Sequence, residues 1–143
     1  MSNSQVKLKA LVAEDDRALA DIIRLALTRA GFDVTVAFDG QKALQFASTF
    51  RFDLVVSDYQ MPILNGEKLL SSIRSSSPSE DAVLILCSAK SYELNSEQLR
   101  DELGLAAIFY KPFSLSELVE AAKHARKSIP SIESSDTDPA ILT

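Results

Sequence analysis

The sequence predicts an α/β fold, a doubly wound parallel sheet of five strands flanked by five helices. Short apolar runs suited to buried parallel strands alternate with segments in which apolar residues recur at helical spacing. Four of the apolar runs end directly in charged or polar residues. At 143 residues, 46% of them hydrophobic, the chain is long enough for one sizeable core and too short for two.

Strands and helices are expected in strict alternation, which is the pattern of βα units and of a parallel sheet. We expect strands at about residues 6–13, 33–37, 53–57, 83–88 and 107–110. We expect helices at about residues 17–30, 39–49, 66–75, 92–103 and 114–127. These ten elements make five βα units and show no internal repeat.

Local signals mark the ends of the first, second and fourth helices. The first has an apolar stripe at helical spacing, and Gly31 is suited to end it in the left-handed conformation. The stripe comprises Leu19, Ile22, Ile23, Ala26 and Leu27. Asp39 and Gly40 open the second helix. Gly104 stops the fourth, which is the more polar one.

The third and fifth helices have signatures of their own. Leu69, Leu70 and Ile73 give the third helix an apolar face. The serine-rich run 75–79 that follows it contains a proline and is typical of a plain loop. The fifth helix begins with Ser114-Leu-Ser-Glu117, a capping box that satisfies amides of the first turn.

Composition argues against several classes of function. The net charge of −5 disfavours direct binding to nucleic acid, because phosphate backbones attract basic surfaces. No apolar run approaches about 18 residues, so we expect no membrane span, no signal peptide and a cytoplasmic location. The only cysteine, Cys87, lies in an apolar run and is expected to be a buried structural thiol. Residues 6–127 form the predicted domain, and 128–143 a flexible polar tail.

Carboxylates follow two of the predicted strands. Glu14 and Asp15 come directly after the first strand, and Asp58 closes the third. Parallel sheets build their sites beyond the carboxyl ends of their strands, so these side chains are expected at one edge. An acidic pair alone could instead begin a helix, and a lone aspartate could form a turn. Together they favour a hard divalent ion, and Mg²⁺ fits because it leaves positions for water and phosphate.

Ser88 and Lys111 end the fourth and fifth strands. A serine at a strand end is usually a turn residue and is weak evidence by itself. A lysine at the end of a buried strand can reach a carboxylate or a phosphate as a point charge. Carboxylates, a hydroxyl and an amine at one edge of one sheet indicate a site for magnesium and phosphate.

At these positions the chain resembles the receiver domain of two-component response regulators. The resemblance rests on the following segments: Glu14-Asp15, Asp58 with Met61-Pro62 and Asn65-Gly66, Ser88-Ala89, and Lys111-Pro112-Phe113. It covers about residues 6–127 and implies a flavodoxin-like fold with strand order 2-1-3-4-5. It also implies a cytoplasmic phosphoprotein that acts as a phosphorylation-activated signalling switch in a phosphorelay.

The resemblance implies a role for each site residue. Asp58 would be the nucleophile that accepts a phosphoryl group from a sensor histidine kinase or phosphotransfer protein, forming an aspartyl phosphate. Mg²⁺ would be held by Asp58, by Asp15 directly, by Glu14 through water and by the backbone carbonyl of Gln60. The phosphoryl oxygens would be contacted by Ser88 and Lys111. The chain would catalyse its own phosphotransfer and dephosphorylation and would not otherwise be an enzyme.

The resemblance also implies an output surface. Phosphorylation would shift the face made by helix four, strand five and helix five, and so change the binding of an unidentified downstream protein. The family often has an aromatic switch residue three positions before the lysine. Here that position is Ile108, and the aromatics are Phe109 and Tyr110. We therefore expect helix four to respond more than strand five.

Further expectations concern the whole chain. The Lys111-Pro112 peptide bond is commonly cis in this family. Because no output domain follows helix five, the chain resembles stand-alone regulators, which bind other proteins, and a homodimer formed on phosphorylation is compatible with this. No contact with a membrane or with nucleic acid is expected.

Two alternatives remain. One is a haloacid-dehalogenase-like phosphatase, a Mg²⁺-dependent class with an aspartate nucleophile at the end of strand one and a second aspartate two residues later. Arg17 stands at that distance from Asp15, so the pattern fails. The other is a pseudo-receiver, a protein-binding module that takes no phosphate.

Overall fold

Strands and helices alternate throughout a computed structural model of the chain, which describes residues 7–89 and 95–127. The five strands are β1 (Lys9–Ala13), β2 (Asp33–Ala37), β3 (Leu54–Asp58), β4 (Val83–Ala89) and β5 (Leu105–Lys111). The five helices are α1 (Arg17–Arg29), α2 (Gly40–Thr49), α3 (Gly66–Ser76), α4 (Ser96–Leu103) and α5 (Leu115–Lys127). The predicted tail, 128–143, lies outside the described residues.

The strands form one parallel sheet in the order β2-β1-β3-β4-β5, so the predicted doubly wound fold and strand order are confirmed. The register pairs Ala13 with Ser57, Asp58 with Cys87, and Ser88 with Tyr110. Because all strands run the same way, their carboxyl ends lie along one edge. That edge receives the polar residues that end the strands.

Apolar side chains fill both faces of the sheet. On one face Leu11 and Val55 pack with Leu69 under α2, α3 and α4. On the other face Val12 packs with Ile23 under α1 and α5. Each of these five side chains is fully buried, and burying apolar surface is the main favourable term in folding. The sheet is therefore covered on both sides, and its carboxyl edge is the natural place for a site.

Several predicted details need correction. The first strand begins at Lys9, the first residue paired with β2, and the predicted start at residue 6 lies outside the described residues. Ile22 is 48% exposed and does not join the core stripe, because Ala20, Ile23 and Leu27 are the buried residues of α1. The described part of the fourth helix begins at Ser96, and the predicted start at residue 92 lies outside the described residues.

The run 75–79 is not the plain loop that its composition predicts. Helix α3 continues to Ser76, and Ser79 is buried. The Ser79 hydroxyl accepts the amide of Phe52 at 2.8 Å and donates to the carbonyl of Phe50 at 3.1 Å. Buried polar groups need such partners. Ser79 therefore joins this segment to the chain between α2 and β3.

The predicted helix ends are confirmed. Gly31 has a φ of 102°, and Gly104 caps α4 with a φ of 64°. The Asp39 side chain accepts the amide of Lys42, so Asp39 caps α2. At α5, the Ser114 hydroxyl accepts the amide of Glu117 at 3.2 Å, which is one of the two bonds of a capping box.

Candidate functional site

Three carboxylates lie together at the carboxyl edge of the sheet. Glu14 follows β1 and is buried, Asp15 beside it is exposed, and Asp58, the last residue of β3, is buried. One oxygen of each carboxylate lies within 4.8 Å of the others. The structure thus brings together the three acidic residues that the sequence singles out.

Lys111, the last residue of β5, joins two of these carboxylates. Its Nζ lies 3.1 Å from Oδ1 of Asp58 and 3.2 Å from Oε1 of Glu14. The other oxygen of Glu14, Oε2, accepts the backbone amide of Asp16 at 3.0 Å. Both oxygens of Glu14 are thus engaged by protein donors, as a buried charge requires. The Lys111-Pro112 peptide bond is cis, as expected.

The charges of this cluster are coupled. Burial raises the pKa of Asp58, although the bond and charge of Lys111 pull it down. Burial also raises the pKa of Glu14, and this effect outweighs the hydrogen bond from the amide of Asp16, which lowers the pKa. At Lys111 burial opposes the charged form, but the two carboxylates outweigh it and raise the pKa. Three carboxylates facing one ammonium leave a site that favours an added cation.

A close backbone contact holds Asp58 in place. A Cβ at Gly66 would overlap the carbonyl oxygen of Asp58, so only glycine allows α3 to begin there. The amide of Gly66 donates to the Tyr59 carbonyl at 2.7 Å, and the amide of Tyr59 donates to Cys87 at 2.7 Å. The main chain directly after the predicted phosphoacceptor is therefore tied to α3 and β4.

The loop between β3 and α3 contains a strained turn that the sequence did not suggest. Ile63 has a φ of 75°, and the amide of Leu64 donates to the Pro62 carbonyl at 2.8 Å, which together define a γ-turn. Positive φ is unfavourable for a β-branched residue. The Ile63 side chain is 77% exposed, so it gains no burial in return. Glycine or asparagine at 63 would have been the sequence signal for such a turn.

Gln60, the predicted backbone ligand, lies exposed in the same loop. The Leu64 carbonyl fixes the far side of this loop against α2, because a Cβ at Gly40 would overlap that oxygen. The loop is thus held by glycines at two close approaches, Gly40 and Gly66. The loop that carries Gln60 therefore lies close to the first residues of both α2 and α3.

Ser88 lies near the end of β4 and is buried. Its hydroxyl donates to the Ala89 carbonyl at 2.9 Å. Cys87 beside it is buried, as predicted, and burial raises the pKa of its thiol to about 12. The structure thus places the predicted hydroxyl at the correct edge of the sheet, engaged by its own strand.

The predicted output residues on β5 divide between the two faces of the sheet. Ile108 packs against the cluster under α2, α3 and α4. Phe109 packs on the opposite face, with its ring centroid 6.1 Å from that of Phe113. Tyr110 is 38% exposed and pairs in register with Ser88. Side chains alternate along a strand, so Ile108 and Tyr110 share the face that α4 covers.

The donor set fits a hard cation. Carboxylate oxygens are the ligands that Mg²⁺ takes in proteins, usually one or two of them together with water. Asp15 and Asp58 come from different strands, and Asp15 is open to solvent. The cluster could therefore hold a divalent ion at the surface beside the Asp58 carboxylate.

Comparisons with known proteins agree on one family. The sequence matches the family model described as "Response regulator receiver domain" over residues 10–123. It is 36% identical over 122 residues to the uncharacterized transcriptional regulatory protein YrkP of Bacillus subtilis, covering 82% of this chain and 47% of that protein. It is 31% identical over 115 residues to the probable transcriptional regulator ycf29 of Porphyra purpurea, covering 80% of this chain and 54% of that protein.

A solved structure is similar over the same region. The receiver domain of the Francisella response regulator 1452 is 36% identical, with a TM-score of 0.73, and the match covers 84% of this chain and 97% of that one. The chain spans about half the length of the curated relatives that it matches. Among its described residues, no helix is long and apolar enough to cross a membrane.

Proposed function

We propose, from the fact that this chain belongs to the response regulator receiver domain family, that it is a phosphorylation switch whose phosphoacceptor is Asp58. The observation that carries the proposal is the buried Asp58 carboxylate, 3.1 Å from the Lys111 ammonium and within 4.8 Å of the Glu14 and Asp15 oxygens. A nearby ammonium and a bound metal ion would both stabilise the negative charge that gathers on phosphoryl oxygens when a carboxylate attacks phosphorus.

The proposed step transfers a phosphoryl group from a histidine of a partner protein. An Asp58 oxygen attacks phosphorus, a P–O bond forms, the P–N bond breaks, and the imidazole nitrogen leaves with its electron pair and takes up a proton. Lys111 neutralises charge on the phosphoryl oxygens, since its ammonium already lies beside Asp58. Ser88 would turn its hydroxyl from Ala89 toward the same oxygens.

We propose Mg²⁺ as the cofactor, held by Asp15, Asp58 and the Gln60 carbonyl. Glu14 would act through water, because Lys111 and the amide of Asp16 already engage both of its oxygens. When bound, the ion would offset the repulsion between the carboxylates and the incoming phosphate.

We further propose that the chain is a phosphoacceptor and does not turn over a separate substrate. A sensor histidine kinase or phosphotransfer protein would be the donor, and a downstream protein would read the face formed by α4, β5 and α5. We propose no direct contact between this chain and nucleic acid, because its net charge is −5.

The test is phosphorylation by a small donor. With Mg²⁺ and acetyl phosphate, the intact mass should rise by one phosphoryl group, and peptide mapping should place the group on Asp58. Asp58→Ala should remove the label. Asp33→Ala, which changes an exposed aspartate of β2, should leave it unchanged.

Other outcomes of this phosphorylation experiment would contradict the proposal, and two of them would favour a different function. Equal labelling of Asp58→Ala would disprove the assignment of the acceptor. No labelling of the wild type, with or without Mg²⁺, would favour the pseudo-receiver. Sustained hydrolysis of an added phosphate ester would favour the phosphatase.

A further inference from the structure

One side chain on α3 holds the carboxyl end of α4. The guanidinium of Arg74 donates to the carbonyl of Leu103 at 3.0 Å and to that of Gly104 at 3.2 Å. It also donates to the carbonyls of Glu80 and Ala82, both at 2.8 Å. Arg74 therefore joins α3 both to the last residue of α4 and to the segment that leads into β4.

These bonds suit the end of a helix. The last carbonyls of a helix lack partners within it and carry a partial negative charge, so a cation there is stabilising. The planar fork of arginine can serve several carbonyls at once, which an ammonium cannot. The same end is closed by Gly104, whose amide donates to Arg100, and by Leu103, which is buried.

Among the residues that the structure describes, the amino end of α4 is held by fewer contacts than its carboxyl end. Asn95, Glu97 and Gln98 are exposed, and Leu99 is the first buried residue of the helix. At this end Asn95 caps the helix: its side chain accepts the amide of Gln98 at 3.1 Å, and its carbonyl accepts the amide of Leu99 at 3.0 Å. Few buried contacts permit local displacement at low free-energy cost.

Helix α3 also connects this anchor to the phosphoacceptor. Its first residue, Gly66, packs against the Asp58 carbonyl, and its last turn carries Arg74. The carboxyl end of α4 is therefore fixed to the same rigid element that fixes the main chain of Asp58.

We propose that Arg74 makes the carboxyl end of α4 a fixed pivot, so that α4 responds to the site by tilting about Leu103 and Gly104. The displacement is then greatest at Asn95 and least at Gly104. This inference rests on the proposed function, because that function supplies the signal. Arg74 is a positioning residue and takes no part in phosphate chemistry.

The anchor is tested first without any ligand, by amide hydrogen exchange of wild type and Arg74→Met. Hydrogen bonds from a charged donor change an opening equilibrium by about tenfold or more. We therefore expect exchange at Leu103 and Leu105 to be about tenfold faster in the variant. The amide of Leu27, in the core of α1, corrects for any change in global stability. Equal exchange at Leu103 after that correction would overturn the proposal.

The pivot is tested next with Mg²⁺ and beryllofluoride, by backbone amide chemical shifts. Wild type should show large changes from Asn95 to Leu99 and small ones at Leu103 and Gly104. Distance from the site also produces such a gradient, so the variant is decisive: in Arg74→Met the changes at Leu103 and Gly104 should increase at least about twofold as the pivot is lost. An unchanged gradient would overturn the pivot.

Two further variants keep the result interpretable. Arg100→Met removes an exposed cation from the last turn of α4 itself and should change exchange and gradient much less than Arg74→Met does. Arg74→Lys, which retains the charge, should accelerate exchange at Leu103 less than Arg74→Met and serves if that variant fails to fold. If beryllofluoride shifts no amide near Asp58, the proposed function fails, while the exchange comparison still decides the anchor.

Discussion

At the scale of single residues, we expect Lys111 to be needed for the response to phosphorylation and not for binding of Mg²⁺. Its ammonium pairs with Asp58 and Glu14, yet it offers no ligand to a metal. Lys111→Ala should therefore still bind Mg²⁺, with an affinity equal to or above that of wild type, because one competing cation is removed. The same variant should respond poorly to phosphorylation, since no ammonium contacts the phosphoryl group.

Thermal unfolding at increasing Mg²⁺ concentrations measures the affinity for Mg²⁺. A ligand at about 100 times its Kd adds about 2.7 kcal/mol to the free energy of unfolding. Amide shifts on adding beryllofluoride measure the response to phosphorylation. Lys9→Ala, which removes an exposed lysine of β1, is the matched control. A tenfold or greater loss of Mg²⁺ affinity in Lys111→Ala would contradict this division of roles.

Ile63 is expected to cost stability where it stands. A left-handed backbone at a residue other than glycine costs roughly 1–2 kcal/mol, and asparagine tolerates it better. Because the side chain is 77% exposed, Ile63→Asn loses little burial and should raise the free energy of unfolding by roughly 0.5–1 kcal/mol. Urea denaturation measures the change. Ile22→Asn, at an exposed site on helix α1, should be neutral or destabilising, and equal effects at both positions would argue against strain.

At the scale of secondary-structure elements, α4 should respond to phosphorylation more than β5. Ile108 is branched at Cβ and stiff at χ1, and it has no ring that could swing toward Ser88. Amide shifts with and without beryllofluoride should therefore be larger from Asn95 to Leu99 than along β5. A larger response in β5 would contradict this. Ile108→Tyr, which restores the family's aromatic residue, should increase the response of β5 and leave phosphate uptake at Asp58 unchanged.

The elements that sequence predicts well are those with a clear chemical boundary. The apolar runs that end at Asp58 and Lys111 give both the strands and the edge on which the site lies. Ile22 was wrongly assigned to the core, because helical spacing does not show how wide a stripe the sheet covers. The four hydrogen bonds of Arg74 go to backbone carbonyls. Because every residue has a carbonyl, no sequence pattern predicts these bonds. The turn at Ile63 goes against the local preference of isoleucine, and the next residue, Leu64, packs against the core.

At the scale of the whole molecule, we expect the buried Asp58 carboxylate to lower the stability of the unphosphorylated, metal-free chain. Burial raises the pKa of Asp58, so folding favours its uncharged form. That contribution is present below the ordinary aspartate pKa of about 3.9 and is lost as pH rises through the raised value. Asp58→Asn should therefore increase the free energy of unfolding at pH 7 by on the order of 1 kcal/mol.

This advantage should vanish as the pH falls below about 4, where the wild-type carboxyl is also uncharged. Denaturant titrations at several pH values measure it. Asp33→Asn, at an exposed carboxylate paired with Lys9, should change stability by less than about 0.5 kcal/mol. Lower stability of Asp58→Asn at pH 7 would show that the ion pair with Lys111 outweighs desolvation.

The buried thiol of Cys87 makes the chain convenient for site-specific labelling. Only the thiolate reacts with maleimides and similar reagents, and a pKa of about 12 together with burial keeps Cys87 protonated and out of reach. Since the sequence has a single cysteine, we expect the protein to react with these reagents as if it had none. A cysteine introduced by Gln98→Cys, on the exposed surface of α4, would therefore carry a dye alone, and fluorescence could follow that helix in an otherwise natural chain.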